Sequence, residues 1–288
     1  MICTFVILHY MVYKDTIECV KSILNNVESD TRHQYHIVVV DNGSTNNTFS
    51  IMQDQLKNEN IHFIRNDENI GFARGNNIGF RYAKKVLNSD YIALLNNDTI
   101  ITQNNWLFVM EKLYNKYHYA VLGPDIITAD GNHQNPFYPG NINLKTLRRA
   151  RKKQQLKLLL TILHLDIIFR HNSSYKKQEY ISEDALNVHL HGACLIFSKE
   201  YIEIFDGLCE RTFLYMEEEI LKLYLDAFKL ISLYSPEIKI YHKEDMATNA
   251  IAKSAREKLI SKYNYWIESS KVFEEIYIEF SRKEEGDV

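Results

Sequence analysis

Short apolar runs that stop at polar residues recur along the first hundred positions, and each is followed by apolar residues at helical spacing. Residues 2–8 (Ile2-Cys3-Thr4-Phe5-Val6-Ile7-Leu8) are nearly all apolar and rich in β-branched side chains, as a strand buried on both faces requires. Asp15 then reads as a helix N-cap, with Ile17, Val20, Ile23 and Leu24 forming one helical face. A second strand at 37–40 ends at Asp41-Asn42-Gly43-Ser44, and a second helix carries Ile51, Met52 and Leu56. A third strand spans 61–64. The loop 66–71 leads into a helix on which Gly71, Gly75 and Gly79 recur every four residues, a spacing that lets a helix lie close on a sheet. The strand Tyr91-Ile92-Ala93-Leu94-Leu95 follows and ends abruptly at Asn96-Asn97-Asp98.

This alternation predicts a doubly wound α/β domain with a parallel sheet. Right-handed crossovers bring His9, Asp41 and Asp98 to one sheet edge, the carboxyl edge where such sheets bind ligands. Beyond it, the pattern predicts a helix over 106–117, a strand at 120–124, a loop over 130–140 and a strand over 186–197. A helix starting at Glu217-Glu218-Glu219, a paired ribbon (231–235 with 238–241) ending at His242, and a helical tail over 250–280 complete it. The tail carries an aromatic face of Tyr263, Trp266, Phe273 and Tyr277.

Composition adds limits. The 288 residues are 45% hydrophobic, enough for a substantial core, and the net charge of −3 argues against a general nucleic-acid binder. That sum hides a local excess: residues 141–178 hold ten Lys or Arg against Asp166 alone, so this segment carries +9 and the rest −12. Arg148, Arg149, Arg151, Lys152 and Lys153 precede Leu156, Leu159, Leu160, Leu163 and Ile167 at helical spacing. Two readings fit: an interfacial helix near anionic lipid, or a solvated basic helix packed on its own domain. No interleaved aromatics support base stacking there. Residues 158–169 are too short and too polar to span a bilayer. Cys3, Cys19, Cys194 and Cys209 are scattered without C-x-x-C spacing, which indicates neither zinc nor disulfides and suits a reducing cytosol. The N-terminus reads as a strand rather than a signal peptide.

The candidate chemistry lies in the polar clusters. Asp98 is a hard oxygen ligand at a strand end, beside Asn96 and Asn97. Asn69, Arg74, Asn76 and Asn77 crowd a helix entrance where amide and guanidinium donors suit an anion. Three adjacent acids at 217–219 resist joint ionisation, which makes one of them a candidate general base, although capping of a helix start explains them equally well.

In order, these motifs resemble the inverting family-2 glycosyltransferases of GT-A fold, particularly the rhamnosyltransferase-like enzymes of bacterial surface polysaccharide assembly. The resemblance covers residues 2–100 and 186–248. It implies an α/β, nucleotide-diphospho-sugar transferase architecture with a mostly parallel central sheet flanked by helices. Residues 1–248 would be the catalytic domain, with a nucleotide-sugar half (1–125), the basic insertion (141–178) and an acceptor half (186–248); 249–288 would be a helical extension.

Val38-Val39-Val40-Asp41-Asn42-Gly43-Ser44 resembles the nucleotide-binding turn, and Asn69-Ile70-Gly71-Phe72-Ala73-Arg74-Gly75-Asn76-Asn77 the motif beside the diphosphate. Leu95-Asn96-Asn97-Asp98 resembles a variant D-x-D motif in which Asn96 replaces the first aspartate. The donor site implied comprises His9, Asp41, Asn42, Ser44, Asn69, Gly71, Arg74, Asn77, Asn96 and Asn97. Asp98, with His242, would hold Mg²⁺ or Mn²⁺. Gly192-Ala193-Cys194 resembles the small-residue motif of the acceptor half. Phe213-Leu214-Tyr215-Met216-Glu217-Glu218 resembles the aromatic-acid motif carrying the base, with Glu217-Glu218 in place of the usual Glu-Asp; Glu218 is chosen as base, with Glu217 and Glu219 as the alternatives in the three-acid run.

The activity implied is inverting transfer from a UDP- or dTDP-sugar to a saccharide or lipid-linked saccharide, by a cytoplasmic protein or one peripheral at the inner membrane face. Its residues 141–178 would contact anionic lipid, nucleic acid is not a partner, and a homodimer is among the assemblies allowed. A noncatalytic nucleotide-sugar-binding or scaffold subunit is the alternative. A sugar-phosphate nucleotidyltransferase would need a glycine-rich loop after the first strand, which Leu8-His9-Tyr10-Met11-Val12 lacks.

Overall fold

A computed structural model describes residues 1–138, 143–165, 180–243 and 254–286, with side chains to 282. Successive strand-helix units build the first half: β1 (Ile2–His9), α1 (Tyr13–Asn26), β2 (Gln34–Asp41), α2 (Thr48–Gln55), β3 (Ile61–Arg65), α3 (Phe72–Lys85) and β4 (Tyr91–Asn96). After β5 (Thr99–Ile100) come α4 (Trp106–Tyr117), β6 (Val121–Thr128), α5 (Leu144–Ile162), β7 (Ala185–Leu186), β8 (Cys194–Phe197) and α6 (Lys199–Ile202). The described chain ends with α7 (Glu217–Ala227), β9 (Ser232–His242) and α8 (Ala255–Gly286). The sheet order is β3-β2-β1-β4-β8-β6-β9-β5, with β7 on β9. Strands β1 to β4 pair in parallel, β8 runs antiparallel between β4 and β6, and β6 and β9 are again parallel.

Side-chain alternation divides the core. In β1, Cys3, Phe5 and Ile7 join Ile37, Val39, Ala93 and Leu95 on the face covered by α1 and α4, where Phe5 packs on Trp106. Val6, Val38, Val40, Ile92 and Leu94 point to the opposite face under α3 and α7. Continuous apolar runs are therefore required, because both faces are covered. The approach of α3 depends on missing side chains. A Cβ on Gly79 would lie 2.3 Å from Val6 Cγ1, and one on Gly75 2.6 Å from Leu8 Cδ1. A third cluster joins Leu147 of α5, Met216 and Ile220 at the start of α7, and Phe273 and Ile276 of α8. Trp266 and Tyr277 of the expected aromatic face pack against the same cluster.

Several expectations need correction. Asp15 is not the cap of α1: the helix begins at Tyr13, and Asp15 sits buried in its first turn, 3.1 Å from Lys243 Nζ. The strand at 120–124 continues through Pro124 to Thr128, with a register shift at Pro124/Asp125 that absorbs the proline. Residues 186–197 are not one strand, because only Cys194–Phe197 pairs with β4 and β6, and residues 187–193 belong to no strand, with His189 making an isolated bridge to Phe137. The expected ribbon is one strand, β9, whose partner β6 lies more than a hundred residues away in sequence. Within the basic segment, residues 144–162 are helical, whereas Ile167 lies outside the described residues.

Candidate functional site

Pairing register places the predicted residues in a row. His9 lies opposite Asp41 between β1 and β2, and Leu8 opposite Asn96 between β1 and β4. Asp41 is fully buried: Oδ1 accepts from the Ser44 amide at 3.0 Å, while Oδ2 has no hydrogen-bond donor among the described residues and lies 3.5 Å from Arg65 Nε. A buried carboxylate oxygen without a donor is costly unless a ligand hydroxyl or N–H completes it. Ser44 Oγ accepts from the Met11 amide, which ties the β1 and β2 exits together. An open groove lined by Arg65, Asn66, Asp67, Glu68 and Ile70 borders this corner.

Other predicted donor-site residues are occupied by the protein itself. Asn42 gives its amide hydrogens to Asn69 Oδ1 and the Gly71 carbonyl, and its Oδ1 accepts from Asn66 Nδ2 and the Ile70 amide. Asn42 is thus a clamp that shapes the 66–71 loop. Asn69 Oδ1 also accepts from the Gly71 amide, and Gly71 holds φ 91° where a Cβ would strike the Phe213 carbonyl at 2.6 Å. His9 is buried between the Thr16 and Thr48 hydroxyls, at 2.7 and 3.1 Å. Burial holds its pKa down to about 4 against the raising influence of Asp41, so it is a neutral brace. Asn77 is committed to Leu208 through both its amide and its carbonyl and to Glu210 Oε1, and Arg74 Nε donates to the Glu210 carbonyl at 2.9 Å. These two side chains fasten α3 to the segment leading to α7 instead of meeting the β4 exit. Asn97 Nδ2 donates to Thr16 Oγ1.

The β4 exit meets the end of β9. Thr99 pairs with His242, and the Lys243 amide donates to the Asp98 carbonyl. Asp98 Oδ1 lies 3.2 Å from His242 Nε2, yet it has no hydrogen-bond partner among the described residues, because the two atoms are not aligned for a hydrogen bond. His242 Nδ1 donates to Gln134 Oε1 at 2.7 Å, which leaves Nε2 unprotonated and facing Asp98. An orphaned carboxylate oxygen facing an imidazole nitrogen of fixed tautomer fits a divalent cation. Among the described residues no cluster of three or more such side chains gathers, so the remaining ligands would come from diphosphate oxygens and water.

The third component is the start of α7. Tyr215 and Met216 both hold positive φ (76° and 70°), and this strained pair delivers Glu217, Glu218 and Glu219 into the first helical turn. Each points differently. Glu217 is buried and accepts from Thr212 Oγ1; burial, then the Glu218 charge, pushes its pKa up to about 8. Glu218 Oε1 accepts from the Gly192 amide at 3.1 Å, and burial raises its pKa although backbone hydrogen bonds oppose the shift. Glu219 is pushed up to about 7 by burial and by Glu218.

Gly192 adjoins Ala193, whose carbonyl accepts from the Asn96 amide, so Glu218 sits beside the β4 exit. The Asp98–His242 pair, Glu218 and Asp41 therefore lie along one edge of the sheet, whereas Arg74, Asn42 and Asn77 tie together the segments around it. Three participants carried no role in the sequence reading. His191 lies 6.0 Å from His242, ring to ring, and accepts from the Ala193 amide through Nδ1, which leaves Nε2 as an N–H donor. Burial, with His242 adding to it, lowers its pKa to about 4. Gln134 orients His242, and Asn135 accepts from the His191 amide. Of these only His191 had a local signal, its place directly before Gly192-Ala193-Cys194.

The β4 exit thus carries Asp98 on one side and approaches Glu218 through Gly192 and Ala193 on the other, on a sheet of GT-A type. The chain belongs to glycosyl transferase family 2, whose model matches residues 4–204. It is 23% identical over 227 residues to the low-salt glycan biosynthesis hexosyltransferase Agl10 of Haloferax volcanii, across 73% of this chain and 64% of that protein. Its fold matches the crystal structure of GalNAc-T7 with UDP, GalNAc and Mn²⁺, with a TM-score of 0.57 and 14% identity over 91% of this chain and 47% of the other. The chain spans less than two thirds of the length of either.

Proposed function

We propose that the protein transfers a sugar from a UDP- or dTDP-sugar to a saccharide acceptor with inversion, assisted by a divalent cation. The observation that carries this reading is the opposition of Asp98 and His242, a buried carboxylate oxygen without a donor among the described residues beside an imidazole nitrogen already oriented by Gln134. Asp98 and His242 would hold the cation, and a mixed oxygen-nitrogen pair suits Mn²⁺ better than Mg²⁺, which favours all-oxygen shells. When bound, the cation supplies charge neutralisation for the departing diphosphate.

Asp41 Oδ2 accepts a hydrogen bond from the nucleoside. Glu218, ionised, takes the proton of the acceptor hydroxyl while that oxygen bonds to the anomeric carbon and the bond to the diphosphate breaks. One displacement inverts the centre and releases a nucleoside diphosphate. The raised pKa of Glu218 suits a base that must hold a proton at the end of the step and release it to solvent afterwards.

The biological setting of this reading is polysaccharide assembly in bacteria, with a saccharide or lipid-linked saccharide acceptor at the inner face of the cell membrane. The named relative's role in glycan biosynthesis supports an oligosaccharide acceptor. The test is calorimetric titration with UDP and dTDP, with and without Mn²⁺, on the wild type and on Asp98→Ala. Metal-dependent binding of one nucleotide, lost in the variant, is expected. Absence of binding to either nucleotide under both conditions would overturn the donor assignment and favour a scaffold role.

A further inference from the structure

The outward face of α5 is divided along its length. Residues 145, 149, 152, 156, 159 and 163 fall within roughly 40° of one line on a helical projection. Lys145, Arg149 and Lys152 occupy its first half and Leu156, Leu159 and Leu163 its second, over roughly 27 Å at 1.5 Å per residue. The leucines are exposed: Leu156 53%, Leu159 52% and Leu163 54%, with Ile162 at 50% and Leu165 at 50% beside them.

The opposite face of α5 is occupied by the protein itself. Leu147 is buried against the α7–α8 cluster, Arg151 reaches Ser270 and Glu274, and Arg148 reaches Glu274. Lys145, Arg149, Lys152 and Lys153 form no ion pair with a described residue. α8 thus neutralises two cations of the helix and leaves a cationic half and an aliphatic half facing outward. A helix packed only on its own domain would turn its leucines inward.

We infer that α5 is an interfacial anchor for an anionic lipid bilayer, with its leucine-bearing end immersed and its lysine-arginine half on the headgroups. Charge complementarity selects this occupant over an apolar protein groove, because the cations are continuous with the apolar patch along one line. Among the described residues no helix is long and apolar enough to cross a membrane, so this contact would lie in the surface plane. α5 and the first turn of α7 meet through Leu147, Met216 and Ile220, so the anchor would hold the Glu217–Glu219 side of the site next to lipid. The inference deepens the lipid-linked acceptor reading, but its test needs no transfer activity, so its failure leaves the glycosyltransferase assignment standing.

The experiment is co-sedimentation of the full chain with vesicles of phosphatidylglycerol and phosphatidylcholine, compared with phosphatidylcholine alone. The variants are Leu159→Glu with Leu163→Glu, and Arg149→Glu with Lys152→Glu. The wild type is expected to bind the anionic vesicles, to dissociate at about 0.5 M salt, and to ignore the neutral ones. Each double variant should lose binding by about tenfold or more. Circular dichroism and melting temperature should be unchanged, since these side chains are exposed. Failure of the wild type to bind anionic vesicles, or equal binding by the variants, would overturn the inference. So would sedimentation equilibrium showing a dimer that the leucine substitutions dissolve, which would assign the face to a second copy.

Discussion

Gly192→Ala separates the chemistry of the site from its stability. A Cβ at this position would lie 2.6 Å from Glu218 Oε1, and ordinary contact begins near 3.4 Å. Gly192 is not among the positive-φ residues, so alanine can adopt its backbone conformation. The atom that must yield is the end of a flexible side chain, and Glu218 therefore moves by about 0.8 Å instead of the fold giving way. The movement also weakens the 3.1 Å bond from the Gly192 amide to Oε1, which favours the carboxylate. Loss of a charge-assisted hydrogen bond is worth about 1.5–3 kcal/mol, and a misplacement of this size costs up to about a hundredfold in rate.

The expected result is a kcat lowered about 30- to 100-fold with donor KM unchanged, because Asp41 and Asp98 are untouched. Melting temperature should shift by no more than about 3 °C. The rising limb of the pH-rate profile should move upward, since a carboxylate deprived of its donor is harder to ionise. The assay is steady-state release of nucleoside diphosphate from pH 5 to 9, run beside Glu218→Gln. A Gly192→Ala enzyme within about twofold of wild-type kcat would refute the placement of Glu218 as base.

Glu217→Gln should alter the pH dependence of stability. With its folded pKa pushed up to about 8 from 4.5, Glu217 keeps a proton that the unfolded chain has released, so wild-type stability falls as pH rises through that window. Below about pH 4.5 both states hold the proton and the penalty vanishes. The variant should gain about 3–5 kcal/mol over wild type between pH 5 and 9, read by urea titration at each pH, and equal curves would contradict the burial argument. Gln134→Ala releases His242 Nδ1 and should weaken Mn²⁺ affinity by about 10- to 100-fold, measured by electron paramagnetic resonance with nucleotide present. Gly79→Ala places a methyl 2.3 Å from Val6 Cγ1 in close packing, and about 1–3 kcal/mol of overpacking should exceed the ~1 kcal/mol of helix propensity gained. Denaturant unfolding that shows a more stable variant would mean that α3 can lift from the sheet at little cost.

Local pattern was sufficient for β1, β2 and β4, because strands covered on both faces must be apolar throughout and their ends are marked by the first polar residue. It was insufficient for 186–197 and 231–241. There the polar and apolar positions follow partners far away in sequence: β8 inserts antiparallel between β4 and β6, and β9 runs beside β6 with a register shift at Pro124/Asp125. The same limit governs the side chains. Asp41, Asp98 and the 217–219 acids were legible as chemical types at strand and helix ends. That the Asn42 side chain commits its amide group to Asn66, Asn69, Ile70 and Gly71 is a property of loop closure and leaves no mark on its neighbours in sequence. Arg74 likewise read as an anion donor until the 203–216 segment took it.

The two sides of the site meet through one dipeptide. Gln134 fixes His242 beside Asp98, while fully buried Asn135 receives the His191 amide and donates to the Pro124 carbonyl. His191 leads directly to Gly192, whose amide holds Glu218. The separation between the Asp98–His242 pair and Glu218 is therefore set by β6, β8 and this dipeptide, all fastened to the sheet, and not by the strained Tyr215–Met216 turn that delivers Glu218. Strain of about 1–3 kcal/mol per residue is tolerable at such a turn only if contacts beyond it over-determine the conformation. The Gly192 amide, the Phe72 amide on the Phe213 carbonyl, and the packing of Met216 against α5 and α8 supply those contacts. A rigid frame thus sets the distances, and the turn needs only to present a carboxylate to it.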